Sequence, residues 1–322
     1  MDTAAANHGI QFSTDSLPER DRLPYLREAF GRSIIRLDLE PIQDVPILLE
    51  ASLHAFDGLV VFSGRTGGIV SRRTRSLLSD GNDDLLLAIN VSGVCLTSQV
   101  GRECQLDAGS AALVSSSDVG VLVRPVPTRC LTLSMPRRRL NAMTVNLEDA
   151  LARPIPASTE ALRLLVDYVG TTLGKHQLTS PQLRQLFAGH VHDLVALAVG
   201  ATRDATEIAY RRGMRAARLR AAKTFIARNI ERQDLSPNRV AARLGITPRY
   251  LHMLFETDGL SFTKFVVEQR LARSHQMLLD PRMAERTISA IAFAAGFSDL
   301  SHFNRAFRQH FGKTPTDTRR VN

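Results

Sequence analysis

The sequence predicts an α+β protein of two domains, one built mainly from β-strands with flanking helices and one built from helices alone. From residue 34 to residue 136, short runs rich in Val, Ile, Leu and Thr alternate with Gly, Asp, Asn and Pro, which is typical of an all-β sandwich or barrel. From residue 216 onward the apolar residues recur at helical spacing. A chain of 322 residues is long enough for two such domains, each with its own core.

The helical domain ends in two short helices separated by Gly296. The first carries apolar residues at helical spacing up to this glycine, where a helix commonly ends on a positive φ. Asp299 is placed to cap the second helix, which keeps Phe303, Phe307 and Phe311 on one side. Such a helix packs against the protein with its apolar side and exposes Asn and Arg on the other side. A helix of this kind can enter a DNA major groove with its polar side. The polar residues left outside the apolar stripe are Ser301, His302, Asn304, Arg305 and Arg308.

The same pattern occurs 51 residues earlier, around Gly245. Thr247 is placed as the cap of the second helix of this pair, and Pro248 follows in its first turn. The residues expected on the outside or its edges are Arg249, Tyr250, His252 and Met253. A long helix, Ser261–Leu279, is predicted between the two pairs. At 1.5 Å per residue it spans roughly 28 Å, which approaches one turn of B-DNA.

Four segments of this domain carry a dense and specific pattern: Val240–Leu251, Arg270–Arg273, Ile291–Arg308 and Phe311–Pro315. In these segments the chain, from about residue 217 to 320, resembles the DNA-binding domain of AraC/XylS-type transcriptional regulators. The resemblance implies two helix-turn-helix units, at about 236–257 and 287–311, that enter adjacent major-groove faces. The residues expected to contact DNA are then Thr247, Arg249, Tyr250, His252, Met253, Asp299, Ser301, His302, Asn304, Arg305 and Arg308.

The charge distribution agrees with a nucleic-acid partner for the helical domain. The chain carries a net charge of +9, but residues 211–322 hold 21 Lys and Arg against 9 Asp and Glu, or +12. The remaining 210 residues hold 20 against 23, or −3. The basic excess therefore lies in the segment that carries the helix pairs, as expected of a module that binds nucleic acid.

Segments of the strand-rich region, among them Ile89–Gly93, Leu106–Ser110 and Leu131–Arg137, resemble the cupin-like effector domain that precedes this DNA-binding domain in one branch of the family. The resemblance covers roughly residues 30–140 and implies a β-barrel that holds a small ligand or mediates dimerisation. An apolar stripe in the predicted helix 181–199 has two interpretations, packing against the barrel or a homodimer contact, and both stay open.

The expected organisation is a disordered tail over residues 1–15, an effector-binding and dimerisation domain over 16–200, a linker over 201–215 and the DNA-binding domain over 216–322. Three cysteines without metal-like pairing fit a reducing, cytoplasmic compartment. No apolar run approaches the roughly 20 residues that span a bilayer, so no membrane partner is expected.

The candidate effector-binding residues are Arg72, Arg73 and Arg75, which could meet an anionic ligand or form a solvated strand face. Arg124 and Arg129 have the same two interpretations. No catalytic residue, metal ligand or cofactor is predicted. The strand region offers only His54, and His190 and His192 are two apart on a predicted helix, which places them on different faces.

The sequence and the resemblance together predict a regulator that is not an enzyme. It is expected to bind promoter double-stranded DNA, to respond to a small-molecule effector and to act as a homodimer. Activation through RNA polymerase is the outcome that the family resemblance implies. Two alternatives stay open, a metal-dependent cupin-type enzyme fused to a DNA-binding module, and a regulator that needs no effector.

Overall fold

The computed structural model describes residues 9–28, 36–175 and 178–320. The chain divides between Ala217 and Arg218 into two compact units, called here the N-terminal unit and the C-terminal unit. The N-terminal unit combines strands with flanking helices, and the C-terminal unit is helical, as the sequence predicts. Among the described residues, no helix has both the length and the apolarity that a membrane span requires.

The strands of the N-terminal unit, in chain order, are β1 (Ile10–Ser13), β2 (Asp38–Pro41), β3 (Leu48–Phe56), β4 (Leu59–Gly67), β5 (Ile69–Arg73), β6 (Leu85–Ser92), β7 (Cys95–Gln99), β8 (Arg102–Leu106), β9 (Ala111–Ser115), β10 (Gly120–Arg124), β11 (Thr128–Met135) and β12 (Pro154–Ile155). One sheet has the order β1-β3-β4-β11-β6-β9-β12 and the other has the order β2-β5-β10-β7-β8. Both orders are open at their ends in the described part of the chain, so the strands form two antiparallel sheets rather than the closed barrel that the resemblance implied.

Alternation along β11 shows why these residues form a strand with two different faces. Leu131, Leu133 and Met135 are buried, and Thr132 and Ser134 between them are partly exposed and line a cavity. Successive side chains of a strand lie on opposite faces, so one face of β11 packs into the core and the other faces the cavity.

Two of the boundaries expected from the sequence differ in the structure. Residues 1–8 lie outside the described residues, but β1 pairs with β3, with Phe12 opposite Ala51, so the expected disordered tail does not extend to residue 13. The expected linker 201–215 is helical over most of its length. It forms a helix, Arg203–Ala209, and a π-helical turn, Tyr210–Met214, in which Ala205, Ala209 and Met214 are buried. Arg212 in that turn bonds Asp193 at 3.2 Å.

The helices of the N-terminal unit flank the sheets: α1 (Glu19–Tyr25), α2 (Arg137–Asn141), α3 (Leu147–Ala150), α4 (Glu160–Lys175), α5 (Pro181–Val199) and α6 (Arg203–Ala209). Ser180 caps α5, and Pro181 occupies its first turn.

The apolar stripe of α5 is divided between two environments. Its later part is buried in its own chain, while Leu183 and Leu186 are 51% and 53% exposed. Packing within the chain therefore accounts for only part of the stripe.

The helices that follow are α7 (Arg215–Arg228), α8 (Pro237–Leu244), α9 (Pro248–Thr257), α10 (Phe262–Leu279), α11 (Ile288–Ala294), α12 (Leu300–Phe311) and α13 (Pro315–Arg320). The C-terminal unit has two apolar clusters, and the long helix α10 contributes to both. Phe262 and Val266 pack in the cluster with α8 and α9, and Leu271 and Leu278 pack in the cluster with α11 and α12. Each helix pair thus has a core of its own on one continuous helix.

Candidate DNA-binding helices and a cavity between the sheets

The first helix pair, α8 and α9, owes its tight turn to Gly245. This residue has φ +65°, in the left-handed region that glycine adopts at little cost. The amide of Ile246 then bonds the carbonyl of Ala241 at 3.0 Å, which closes the end of α8. Thr247 begins α9, because its hydroxyl accepts a hydrogen bond from the amide of Tyr250 at 3.1 Å.

The second pair, α11 and α12, repeats this arrangement with one extra residue between the glycine and the capping residue. Gly296 has φ +99°, and the amide of Phe297 bonds the carbonyl of Ala292 at 3.0 Å. A carboxylate oxygen of Asp299 accepts hydrogen bonds from the amides of Ser301 at 2.6 Å and His302 at 2.9 Å. These amide hydrogen bonds lower the pKa of Asp299. Thr247 and Asp299, both predicted to contact DNA, therefore already use their side chains to begin the two helices.

All of the remaining predicted DNA-contacting residues except Tyr250 have exposed side chains beside a buried apolar stripe. Phe303 and Phe307 are fully buried on α12, and Leu251 and Leu254 are fully buried on α9. Tyr250 is partly buried, with the Arg218 guanidinium 5.4 Å above its ring. The exposed ones are Arg249, His252, Met253, Ser301, His302, Asn304, Arg305 and Arg308.

Several other arginines of the C-terminal unit are paired with carboxylates. Arg239 pairs with Asp234, and Arg282 pairs with Asp280 at 3.0 Å. By contrast, none of the described carboxylates lies within 4.0 Å of the guanidinium nitrogens of Arg249, Arg305 or Arg308. These three guanidinium groups are therefore free to bind phosphate oxygens or guanine edges.

The N-terminal unit holds a cavity of about 220 Å³ between its two sheets. Its walls come from β3, β4, β6, β9 and β11 of one sheet and from β5, β7 and β10 of the other. Much of the lining is apolar, with Phe62, Leu86, Val114 and Leu122 among the residues that form it. A cavity of this size, walled by apolar side chains with a few polar groups, is the usual form of a small-molecule site.

Of the three arginines predicted to bind an effector, only Arg73 lines this cavity. Its guanidinium is buried and bonds the Ser116 carbonyl at 2.8 Å, the Arg36 carbonyl at 3.0 Å and the Asp80 carboxylate at 2.7 Å. The hydrogen bond from Arg73 holds the pKa of Asp80 well below its usual range. Arg72 forms an ion pair with Glu40 at 3.0 Å, and Arg75 is exposed at the start of a 3₁₀ helix. Each nitrogen of the Arg73 guanidinium thus already donates a hydrogen bond within the protein.

Arg124 lines the cavity as well, on β10, a strand that the sequence analysis missed. It is only 7% exposed, and its Nε has no hydrogen-bond partner. Arg129, with which the sequence analysis grouped it, is exposed on β11. The sequence does carry a signal for β10, because the run Gly120–Arg124 is a short apolar segment bounded by turn residues, which is typical of a strand.

The two histidines of α5 make separate structural contacts. His190 bonds the Tyr168 hydroxyl at 2.8 Å, and His192 bonds the Gly58 carbonyl at 2.9 Å. Burial lowers the pKa of both imidazoles. Within the described residues, no three His, Cys, Asp or Glu side chains lie close enough together to hold a metal ion.

Comparison with known families and proteins identifies both units. An AraC-binding-like domain model matches residues 26–199, and a helix-turn-helix domain model matches residues 240–321. The transcriptional activator RhrA of Rhizobium meliloti (strain 1021) is 30% identical over 54% of this chain and 54% of its own length. The transcriptional activator NphR of Rhodococcus sp. is 27% identical over 76% of this chain and 72% of its own length. The match to RhrA thus spans about half of that protein.

Among solved structures, the AraC-like transcriptional activator CuxR matches with a TM-score of 0.48 and 18% identity, over 89% of this chain and 100% of that chain.

Proposed function

We propose, from the premise that this chain belongs to the AraC family of helix-turn-helix regulators, that it binds promoter DNA and regulates transcription. The observation that carries the proposal is the pair of capped helices α9 and α12, each with a buried apolar stripe and an exposed polar side. Arg249 on α9 and Arg305 on α12 have free guanidinium groups, and each helix begins with a side-chain cap. This is the form in which recognition helices present side chains to a major groove.

Base contact is the proposed role of Asn304 and Arg305, because their side chains suit bidentate contacts with adenine and guanine. Arg249 and His252 are the corresponding residues of α9. Arg308 is proposed to bind phosphate or a base edge, and Ser301, His302, Tyr250 and Met253 to border the contact. Thr247 and Asp299 are proposed to position these side chains by capping the helices rather than to read bases.

For the organisation of the chain, we propose that the N-terminal unit is an effector-binding and dimerisation domain and that the C-terminal unit is a DNA-binding domain. The AraC-binding-like match supports a small-molecule effector for the first. The names of the relatives support an activator, which would act through RNA polymerase in the cytoplasm, and they favour a regulator over an enzyme. Exposed Leu183 and Leu186 on α5 support a second copy of this chain as partner.

The test selects duplexes from a randomised library on the immobilised full-length protein and measures affinity by fluorescence anisotropy at several salt concentrations. We expect enrichment of a defined sequence and a steep fall of affinity with salt. The double variant Arg249→Ala/Arg305→Ala should lose the enriched sequence. Arg282→Ala, which removes an exposed arginine already paired with Asp280, is the control and should retain it. A library without enrichment, or a double variant that binds like the control, would reject the proposal.

A further inference from the structure

The cavity between the sheets has two chemically different ends, and β10 runs from one to the other. At one end of β10, Gly120 lies opposite Arg73 of β5 and Gln99 of β7. At the other end, Arg124 lies opposite Ile69. The two ends of the strand are four residue steps apart, or about 13 Å at about 3.3 Å per step.

The polar side chains of Arg73, Gln99 and Ser134 at the Gly120 end are hydrogen-bonded within the protein. The Arg73 guanidinium makes the three hydrogen bonds described above. The side-chain amide of Gln99 accepts from the Ser115 amide at 2.7 Å and donates to the Ser115 carbonyl at 2.8 Å. The Ser134 hydroxyl donates to the Asp84 carboxylate at 3.1 Å. This end therefore has few donors left for a ligand.

At the Arg124 end, two buried polar groups lack partners. Nε of Arg124 and Oγ1 of Thr66 have no hydrogen-bond partner, and Thr66 is 2% exposed. The two residues lie on neighbouring stretches of backbone, because the amide of Gly68, two residues after Thr66, donates to the Arg124 carbonyl at 3.0 Å. Both residues line the cavity.

The surroundings of Arg124 do not neutralise its charge. Its guanidinium contacts the buried thiol of Cys130, whose pKa is raised by burial, so this thiol is neutral at ordinary pH. No described carboxylate forms an ion pair with Arg124. Since buried charges in proteins are normally paired, a buried guanidinium with a free donor beside a cavity indicates a place for an anion.

We propose that this cavity binds a small organic carboxylate, with its carboxylate on Arg124 and Thr66 and its apolar body between the sheets. A guanidinium and a hydroxyl are suited donors for a carboxylate, and Val60, Phe62, Leu86, Ala88 and Leu122 supply apolar contacts beyond them. A cavity of 150 Å³ binds benzene, so about 220 Å³ admits roughly nine non-hydrogen atoms. The role of this carboxylate as the effector rests on the proposed function, but its binding does not.

The test is isothermal titration calorimetry of the full-length protein, without DNA, with three acids and their neutral amides. The probes are benzoate, phenylacetate and hexanoate against benzamide, phenylacetamide and hexanamide. At least one acid should bind about tenfold or more tightly than its amide, because the amide cannot form the charge-assisted pair. Failure of all three acids to bind, or equal affinity for acid and amide, would overturn the proposal.

Variants then locate the site. Arg124→Gln and Thr66→Val should each weaken binding of the acid, by about tenfold or more for Arg124→Gln. Arg129→Gln, an exposed arginine on β11, is the matched control and should bind like the wild-type protein. Arg124→Met tests whether Arg124 serves a ligand or stabilises the fold. If it serves a ligand, replacing a buried, unpaired charge with an apolar side chain should leave the unfolding temperature of the ligand-free variant equal to or above that of the wild type. A lower value would assign Arg124 to the structure and overturn the proposal.

Failure of this proposal and failure of the proposed function are distinguishable. A protein that enriches a DNA sequence but binds none of the acids contradicts the carboxylate site alone. A protein that binds an acid through Arg124 but enriches no DNA sequence supports the carboxylate site and contradicts the regulator.

Discussion

Nε of Arg270, in the middle of α10, donates a hydrogen bond to the backbone carbonyl of Ile230 at 3.2 Å. Nη2 of the same guanidinium bonds the Arg232 carbonyl at 2.8 Å. Both carbonyls belong to the segment between α7 and α8. One side chain of the long helix therefore holds the segment that leads into the first helix pair. Burial lowers the pKa of Arg270, yet the group keeps its two acceptors. Gly296, in the turn of the second pair, lies against the same carbonyl of Ile230.

Gly296→Ala should therefore destabilise the C-terminal unit strongly. A Cβ at this position would lie 2.3 Å from the Ile230 carbonyl oxygen and 2.8 Å from Nε of Arg270, on a backbone with φ +99°. The free energy of unfolding should fall by roughly 2–4 kcal/mol, because overlap of the new Cβ with backbone adds to the strain of a positive φ. The measurement is thermal unfolding followed by circular dichroism.

The matched control for this variant is Gly245→Ala, at the corresponding turn of the first pair. Its φ is +65°, but a Cβ there meets no atom within 4 Å among the described residues. Only the backbone strain remains, so the free energy of unfolding should fall by about 1 kcal/mol. Equal losses for the two glycines would contradict the close approach to Ile230.

Asp299 should make the stability of α12 depend on pH in the acid range. Its folded pKa is lowered by the amides of His302 and Ser301, so the carboxylate contributes stability at pH values above the unfolded pKa, about 3.9. That contribution is lost as the pH falls through the lower, folded pKa. Asn caps helices about as well as Asp but does not titrate. The advantage of the wild type over Asp299→Asn, measured by urea unfolding, should shrink between pH 6 and pH 3.

An advantage of the wild type that stays constant from pH 6 to pH 3 would mean that the capping carboxylate does not change its charge in this range. The lowered pKa would then not be coupled to folding.

Arg305→Ala should weaken binding to a selected duplex more than binding to an unrelated duplex. A guanine contact is worth about 1–3 kcal/mol of discrimination, or roughly a 5- to 150-fold loss. Both affinities are measured by fluorescence anisotropy at one salt concentration. Equal losses on the two duplexes, with a shallower salt dependence, would instead assign Arg305 to a phosphate.

Leu183→Lys/Leu186→Lys should convert a dimer into a monomer without loss of folding, because both side chains are about half exposed on α5. Solution mass is measured by light scattering, and Gln185→Lys, an exposed neighbour on the same helix, is the control. Deletion of the whole helix would not be informative, since Phe187, Val191 and Leu194 are buried in the chain's own core. If the double variant has the same solution mass as the wild type, the exposed leucines of α5 do not form a dimer contact.

Local patterns were enough to predict the helical unit. The glycines at 245 and 296, the caps at Thr247 and Asp299, and the spacing of Phe303 and Phe307 are all readable within a few residues of one another. A helix is defined by contacts three and four residues apart, so its capping residues and its buried side appear directly in the sequence.

The strand region was less predictable, because partners in a sheet are distant in the chain. β10 was missed between two turns, and β1 was assigned to a disordered tail although it pairs with β3, some 40 residues later. The expected barrel is two open sheets in the described residues. A short apolar run acquires its strand identity from neighbours that the local sequence does not contain.

What the sequence by itself determined is which residues form the two capped helix pairs and which side of each pair is polar, because these follow from short-range periodicity. Only the tertiary structure decided the state of the arginines in the cavity. Arg73 is neutralised by Asp80, seven residues away, whereas Arg124 is left with a neutral thiol and a free donor. The charge state and pairing of a buried group depend on which strands enclose it, and strand pairing joins residues that are far apart in the chain.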